Sequence, residues 1–116
     1  MRSNRIPRYP DLLKIADNIT EENWTRRQYH DYVLGRHCAV GHLRNYTSRY
    51  RYRVPQSIRR ELTLALYQVV RKRGHRGIEY YNDEIAKDFN DIKELFIEAA
   101  YADLDMDYIQ RQHMQT

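Results

Sequence analysis

Gly35-Arg36-His37-Cys38-Ala39-Val40-Gly41-His42-Leu43 is the stretch around which this chain is organised. It holds the only cysteine, two of the five histidines and two of the four glycines. Ala39, Val40 and Leu43 fall on one face at i, i+3/i+4 spacing, which predicts a helix from His37 or Cys38 to about Arg44. Gly41 inside that helix costs about 1 kcal/mol against alanine. Its use there is close approach by another backbone.

Downstream, Arg49-Tyr50-Arg51-Tyr52-Arg53-Val54 alternates with a period of two. Extended, it would put arginines on one face and Tyr50, Tyr52 and Val54 on the other. It reads as a short β piece or as a solvated loop. Val54 precedes proline, which disfavours helix there, and Pro55 opens the next helix. Ile58, Leu62, Ala65, Leu66, Val69 and Val70 make its buried stripe. Arg71 and Lys72 suit its last turn, and Gly74 its stop. Beyond the turn at 74–77, residues 78–83 read as an irregular link and 84–86 as one helical turn. Asp88 is an N-cap, with Asp91 three residues on as a shortened capping box. Ile92, Leu95, Phe96, Ala99 and Ala100 form the apolar face of a helix over 89–104.

Upstream, Tyr29, Tyr32, Val33 and Leu34 lie in a short extended piece or a large turn ending at Gly35. Trp24 is read as a core anchor, with ligand stacking as the alternative. Pro10 at N1, Asp11 in the first turn, and Leu12, Ile15, Ala16 and Ile19 on one face predict a helix over 10–22. The fold class expected is all-α. It is a compact single domain of four to five helices over 9–104, with a basic extended Arg/Tyr connection and room for a short β piece. Residues 1–8 form a basic flexible arm, and 105–116 extend the last helix or fray.

The 116 residues suit one domain. With 41% hydrophobic and 31% charged residues, its core is modest. No apolar run reaches membrane-spanning length, and the basic start lacks the apolar core of a secretory signal. A single cysteine excludes an internal disulfide, so the expected location is a reducing bacterial cytosol. The net charge of +4 conceals a division. Residues 44–76 carry ten basic side chains against one acid, Glu61, while 77–116 carry three basic against ten acidic. The two segments can neutralise each other within one chain. The basic one can face an anion. Two copies can also join head to tail as a homodimer.

Trp24, Gly35, Cys38, Ala39, Gly41, Leu43, Tyr81, Asn82, Asp83, Asp88, Ile92, Ala99 and Ala100 together resemble the pattern of an uncharacterised family of short helical proteins from actinobacteria and bacteriophages. The likeness spans about residues 10–101. It departs at His42, where the family more often has Ala, at Tyr81 for Trp, at Asp88 for Thr, and at Asn23 for Gly. The resemblance implies a compact helical fold and a viral or mobile-element origin. It implies no activity.

Three constellations carry chemistry. Cys38 at a helix start, with His42, His75 and Asn82 or Asp83, supplies the parts of a cysteine hydrolase, but in no known order or spacing; the bland reading is an inert buried thiol. Cys38, His42 and His37 lack the fourth ligand of structural zinc. The third is Arg44, Arg49, Tyr50, Arg51, Tyr52, Arg53, Arg59 and Arg60. Arginine forks phosphate bidentately and tyrosine stacks on bases, and arginines outnumber lysines 16 to 4. The bland reading of these residues is a solvated basic face. The expectation is a non-enzymatic binding protein with no cofactor, resident metal or membrane. Its partner would be nucleic acid or a nucleotide, or else a host protein that it inhibits or modulates. A hydrolase built on Cys38 ranks third.

Overall fold

The computed structural model describes residues 5–28, 30–31, 34–49 and 54–114. Six helices and one two-stranded ribbon follow in the order α1 (Pro10–Asn18), β1 (His30–Asp31), β2 (Arg36–His37), α2 (Ala39–Arg49), α3 (Gln56–Lys72), α4 (Ile78–Tyr80, running on as a π-helical turn over Tyr81–Ile85), α5 (Phe89–Ala100) and α6 (Met106–Met114). The radius of gyration is 13.7 Å, close to that of a compact domain of this length, about 13 Å.

Helix α5 is the centre. Its face Ile92, Leu95, Phe96, Ala99 and Ala100 has no solvent exposure. It packs between α1, which offers Leu12, Ile15 and Ala16, and α3, which offers Leu62, Ala65, Leu66, Val69 and Val70. The two alanines at its end let neighbouring chain approach, and Tyr9 N–H donates to Ala100 O at 2.9 Å. Asp88 caps the other end as expected, accepting from Asn90 N at 2.9 Å, while Asp91 accepts from Lys87 N at 2.7 Å.

Helix boundaries differ from expectation wherever a side chain outbids the backbone. The first helix ends at Asn18, not near 22. Thr20 N–H donates to Asn23 Oδ1 at 2.8 Å, Asn23 Nδ2 donates to Asn18 O at 2.6 Å, and Lys93 Nζ donates to Ala16 O at 2.8 Å. Short polar side chains that bond their own backbone close a turn in place of another helical one. The second helix runs on to Arg49, past the expected end at Arg44, because Thr47 is buried on the core face and its hydroxyl donates to Leu43 O at 3.0 Å. Arg49 therefore belongs to a helix.

The last central helix stops at Ala100, not 104, and the tail makes a helix of its own. Gln68, fully buried in α3, arranges that break. Its Nε2 donates to Asp103 O at 2.8 Å and its Oε1 accepts from Asp105 N at 2.7 Å. Ile109 of α6 then docks at 1% exposure. Within the arm expected over 1–8, the Arg5 guanidinium donates to Tyr101 O at 2.9 Å, and residues 1–4 lie outside the described residues.

Strands β1 and β2 pair His30 with His37 and Asp31 with Arg36, within and just beyond the extended stretch expected to end at Gly35; the β piece expected at 49–54 lies, from Tyr50 to Arg53, outside the described residues. Gly35 supplies the positive φ, 66°, for the turn. The irregular link expected over 78–83 is α4 with its π turn. Ala86 N–H reaches back five residues to Tyr81 O at 2.8 Å. Helix α3 ends as expected at Gly74 (φ 88°), where His75 N bonds Val70 O and Gly74 N bonds Arg71 O. No helix among the described residues is long and apolar enough to cross a membrane.

Candidate anion-binding site

Three of the eight basic-segment candidates have described side chains, and all three face solvent. Arg44 is on the outer face of α2, and Arg59 and Arg60 are on the first turns of α3. Arg60 also borders a shallow groove of about 360 Å³ shared with Arg8, Tyr9, Glu61 and Asp103. Arg49 closes α2, but its side chain lies outside the described residues, as do Tyr50, Arg51, Tyr52 and Arg53 entirely. Of the eight, the structure therefore places only the flanks, Arg44 on α2 and Arg59 and Arg60 on the first turns of α3.

The arginines differ sharply in employment. Arg5 and Arg26 are spent on backbone carbonyls, Arg26 Nη2 donating to Ala86 O at 2.6 Å. Arg27 pairs with Glu84 at 2.9 Å and Arg73 with Glu98 at 2.6 Å. Arg71 grips Gln112 Oε1 at 2.7 Å, and Arg76 lies 4.3 Å over the Tyr80 ring. The Arg73–Glu98 pair joins the basic segment to the acidic one. Arg59 and Arg60 have no such partner among the described residues. Tyr46, which might have joined a stacking surface, donates its hydroxyl to Asp11 Oδ1 at 2.5 Å and ties α2 to α1.

A second gathering of residues centres on Asn82. This side chain is wholly buried in the π turn, and both its polar atoms are doubly used. Oδ1 accepts from Trp24 Nε1 at 2.7 Å and from Ala39 N at 2.9 Å. Nδ2 donates to Thr25 O at 3.1 Å and to Asp83 Oδ1 at 3.0 Å. The π turn sets Asn82 where one amide can hold the tryptophan loop, the start of α2 and α4 at once. Asp83 Oδ1 also accepts from Arg27 N at 2.8 Å, and Arg27 sits at φ 64°. Asn82 and Asp83 thus satisfy backbone groups of the surrounding loops. Their reach across 43 to 58 residues of sequence had no signal in local pattern.

Cys38 is 4% exposed beside this hub and forms part of a small cleft of about 160 Å³ with Arg27, Gln28, Glu79 and Asp83. Its Sγ accepts from Gly41 N at 3.4 Å. Burial pushes the thiol pKa up, against the pull of the backbone N–H groups of Gly41 and Val40, and the Asp83 and Glu79 carboxylates push it further. A nucleophilic cysteine needs the opposite environment. His42 does not face it as a base: its Nε2 meets Asn23 O at 3.1 Å. His42 packs instead against His37 with ring centroids 5.0 Å apart, and His37 Nδ1 lies 2.7 Å from His30 Nδ1. Burial first, and then His37, push the His42 pKa down to about 4. Burial and His30 lower that of His37. Among the described residues no group of three side chains is arranged to hold a metal.

The residues that sequence reasoning missed are Arg36 and Lys87, at a cleft beside Trp24. Arg36 sits within the opening stretch, but its two neighbours drew the reading.

The chain belongs to the family of unknown function DUF6197, whose profile matches residues 9–102. No curated protein and no solved structure matches it.

Proposed function

We propose that this family member is a small binding protein that recognises a polyanion through its Arg/Tyr segment 44–60, with nucleic acid or a nucleotide as the partner. One observation carries the reading. In a molecule that spends six of its twelve described arginine side chains on carbonyls, rings and carboxylates, Arg59 and Arg60 stand exposed on α3 without an anionic partner among the described residues. They flank the stretch in which Tyr50, Arg51, Tyr52 and Arg53 alternate. Guanidinium forks on phosphate and tyrosine rings on unstacked bases are the chemistry such a segment offers. The buried, protonated thiol of Cys38 argues against a hydrolase. The mobile-element origin suggested by the resemblance would place the partner in a host cytosol.

The test is fluorescence anisotropy with labelled single-stranded and duplex oligonucleotides, at low and near-physiological salt. The expected result is binding at about micromolar strength that weakens steeply with salt, since each phosphate neutralised releases counterion. Arg59→Ala with Arg60→Ala should weaken it about tenfold or more and flatten the salt slope. Absence of binding at low salt overturns the nucleic-acid reading and turns attention to an acidic surface on a host protein.

A further inference from the structure

Beside Trp24 lies a cleft of about 430 Å³ lined by Glu21, Trp24, Arg36, Lys87, Asp88 and Phe89. It shares no residue with the segment 44–60. Its volume falls within the range of small-molecule sites, about 300–1,000 Å³. The walls are fixed. His37 N donates to Asn23 O at 2.7 Å and Thr25 N to His37 O at 3.1 Å, so strand β2 is clamped against the tryptophan loop. Trp24 is held through its indole N–H by Asn82. Arg26 lies 4.8 Å over its ring and bonds Lys87 O at 3.1 Å, fixing the opposite wall.

Within this frame Arg36 is anomalous. Its Nε is buried and has no hydrogen-bond partner. Asp31 stands directly opposite it across the ribbon, its carboxylate accepting from Leu34 N at 3.2 Å. Every other described arginine that reaches into the fold is satisfied there. A buried donor without a partner is rare in folded proteins, and it leaves the Arg36 guanidinium without a committed acceptor among the described residues. Lys87, exposed at the same cleft, also has no carboxylate partner among the described residues. Of the two acids at the cleft, Asp88 is committed to Asn90 N at the start of α5.

We propose that this cleft binds a nucleoside monophosphate, its phosphate on the Arg36 guanidinium and the Lys87 ammonium and its base against Trp24 and Phe89. A phosphate oxygen in the cleft accepts from the Arg36 guanidinium fork. The two aromatic side chains offer the flat apolar wall that a base needs and that inorganic phosphate does not use. Glu21 at the cleft's edge is an acceptor for a ring amino group.

Trp24 is the only tryptophan of the chain, so its fluorescence reports on this cleft alone. The full-length protein is titrated with AMP, GMP and inorganic phosphate, with calorimetry alongside. The expected result is a saturable fluorescence change with a nucleotide. Affinity should fall about tenfold or more in Arg36→Met and in Lys87→Met, the loss of a charge-assisted contact. Arg59→Ala with Arg60→Ala should leave it unchanged. Without ligand, Arg36→Met should melt at the same temperature as the parent or higher, because it removes an unsatisfied buried donor. No change with either nucleotide overturns the proposal. So does inorganic phosphate binding as tightly as the nucleotides, or full affinity in both variants. A lowered melting temperature in Arg36→Met would make Arg36 a structural residue and overturn it as well.

Discussion

At the scale of single residues, His42 shows how a side chain's neighbours set its chemistry. It is 6% exposed, stacked edge-on with His37 and bonded to a backbone carbonyl, so the native state holds it neutral. Its folded pKa of about 4 lies below the unfolded value of 6.5. Between those values the unfolded chain binds more protons, so stability falls as pH drops through that window and levels off beneath it. The full effect is about 3 kcal/mol, and the lowered pKa of His37 acts in the same direction. Urea unfolding at pH 7.5 and pH 4.5 should therefore show a clear loss at the lower pH. His42→Ala, which restores the residue more usual in the resemblance, should flatten that difference whatever it does to stability at pH 7.5. An equal loss in both proteins would assign the acid sensitivity elsewhere.

At the scale of elements, the tryptophan loop, α2 and α4 are joined through Asn82. None of the three would hold its place by apolar burial alone, since Trp24 is only half-buried and the π turn is short. Asn82→Ala leaves the Trp24 indole N–H and the Ala39 amide without their acceptor, in a site with no solvent exposure. Each orphaned donor costs about 1–3 kcal/mol. The expected loss is about 3–5 kcal/mol by chemical denaturation, a large share of the stability of a domain this size. A loss under about 1 kcal/mol would mean that water takes over both donors. These same residues were prominent in the sequence as a pattern: Trp24, Ala39, Asn82 and Asp83. The pattern marked them without saying that they meet. A tryptophan and an asparagine 58 positions apart share no periodicity, so their bond was invisible until the chain was folded.

At the scale of the whole molecule, the charge division is partly settled by packing. The basic end of α3 meets the acidic α5 through Arg73 and Glu98, and Arg71 reaches Gln112 on α6. The basic start of α3 is left to solvent. That polarity is why the oligonucleotide test singles out Arg59 and Arg60 and not the arginines near Gly74. Helix α6 closes the far side of the domain through Ile109. Ile109→Ala should cost about 2–4 kcal/mol, as for other fully buried aliphatic side chains. Equilibrium unfolding measures it, and a cost near zero would show that α6 contributes little to the folded state.

The sequence by itself determined the helical class, the central apolar stripe of α5, the stripe of α3 and its stop at Gly74, and the Asp88 cap. Each of these rests on interactions within four or five residues, where periodicity and cap chemistry act directly. It also determined the opposed charges of the middle and the end. Tertiary structure alone decided where helices α1 and α5 end, because Asn23, Lys93 and Gln68 compete there with the helical bonds, and that α2 runs past Arg44, where Thr47 is buried on the core face. It decided that the 78–83 stretch winds into a π turn so that Asn82 can face inward. It decided which arginines are consumed and which are left over. Whether a guanidinium finds a carbonyl, a ring, a carboxylate or nothing depends on what distant chain packs beside it, and among the described residues the buried Nε of Arg36 finds no partner.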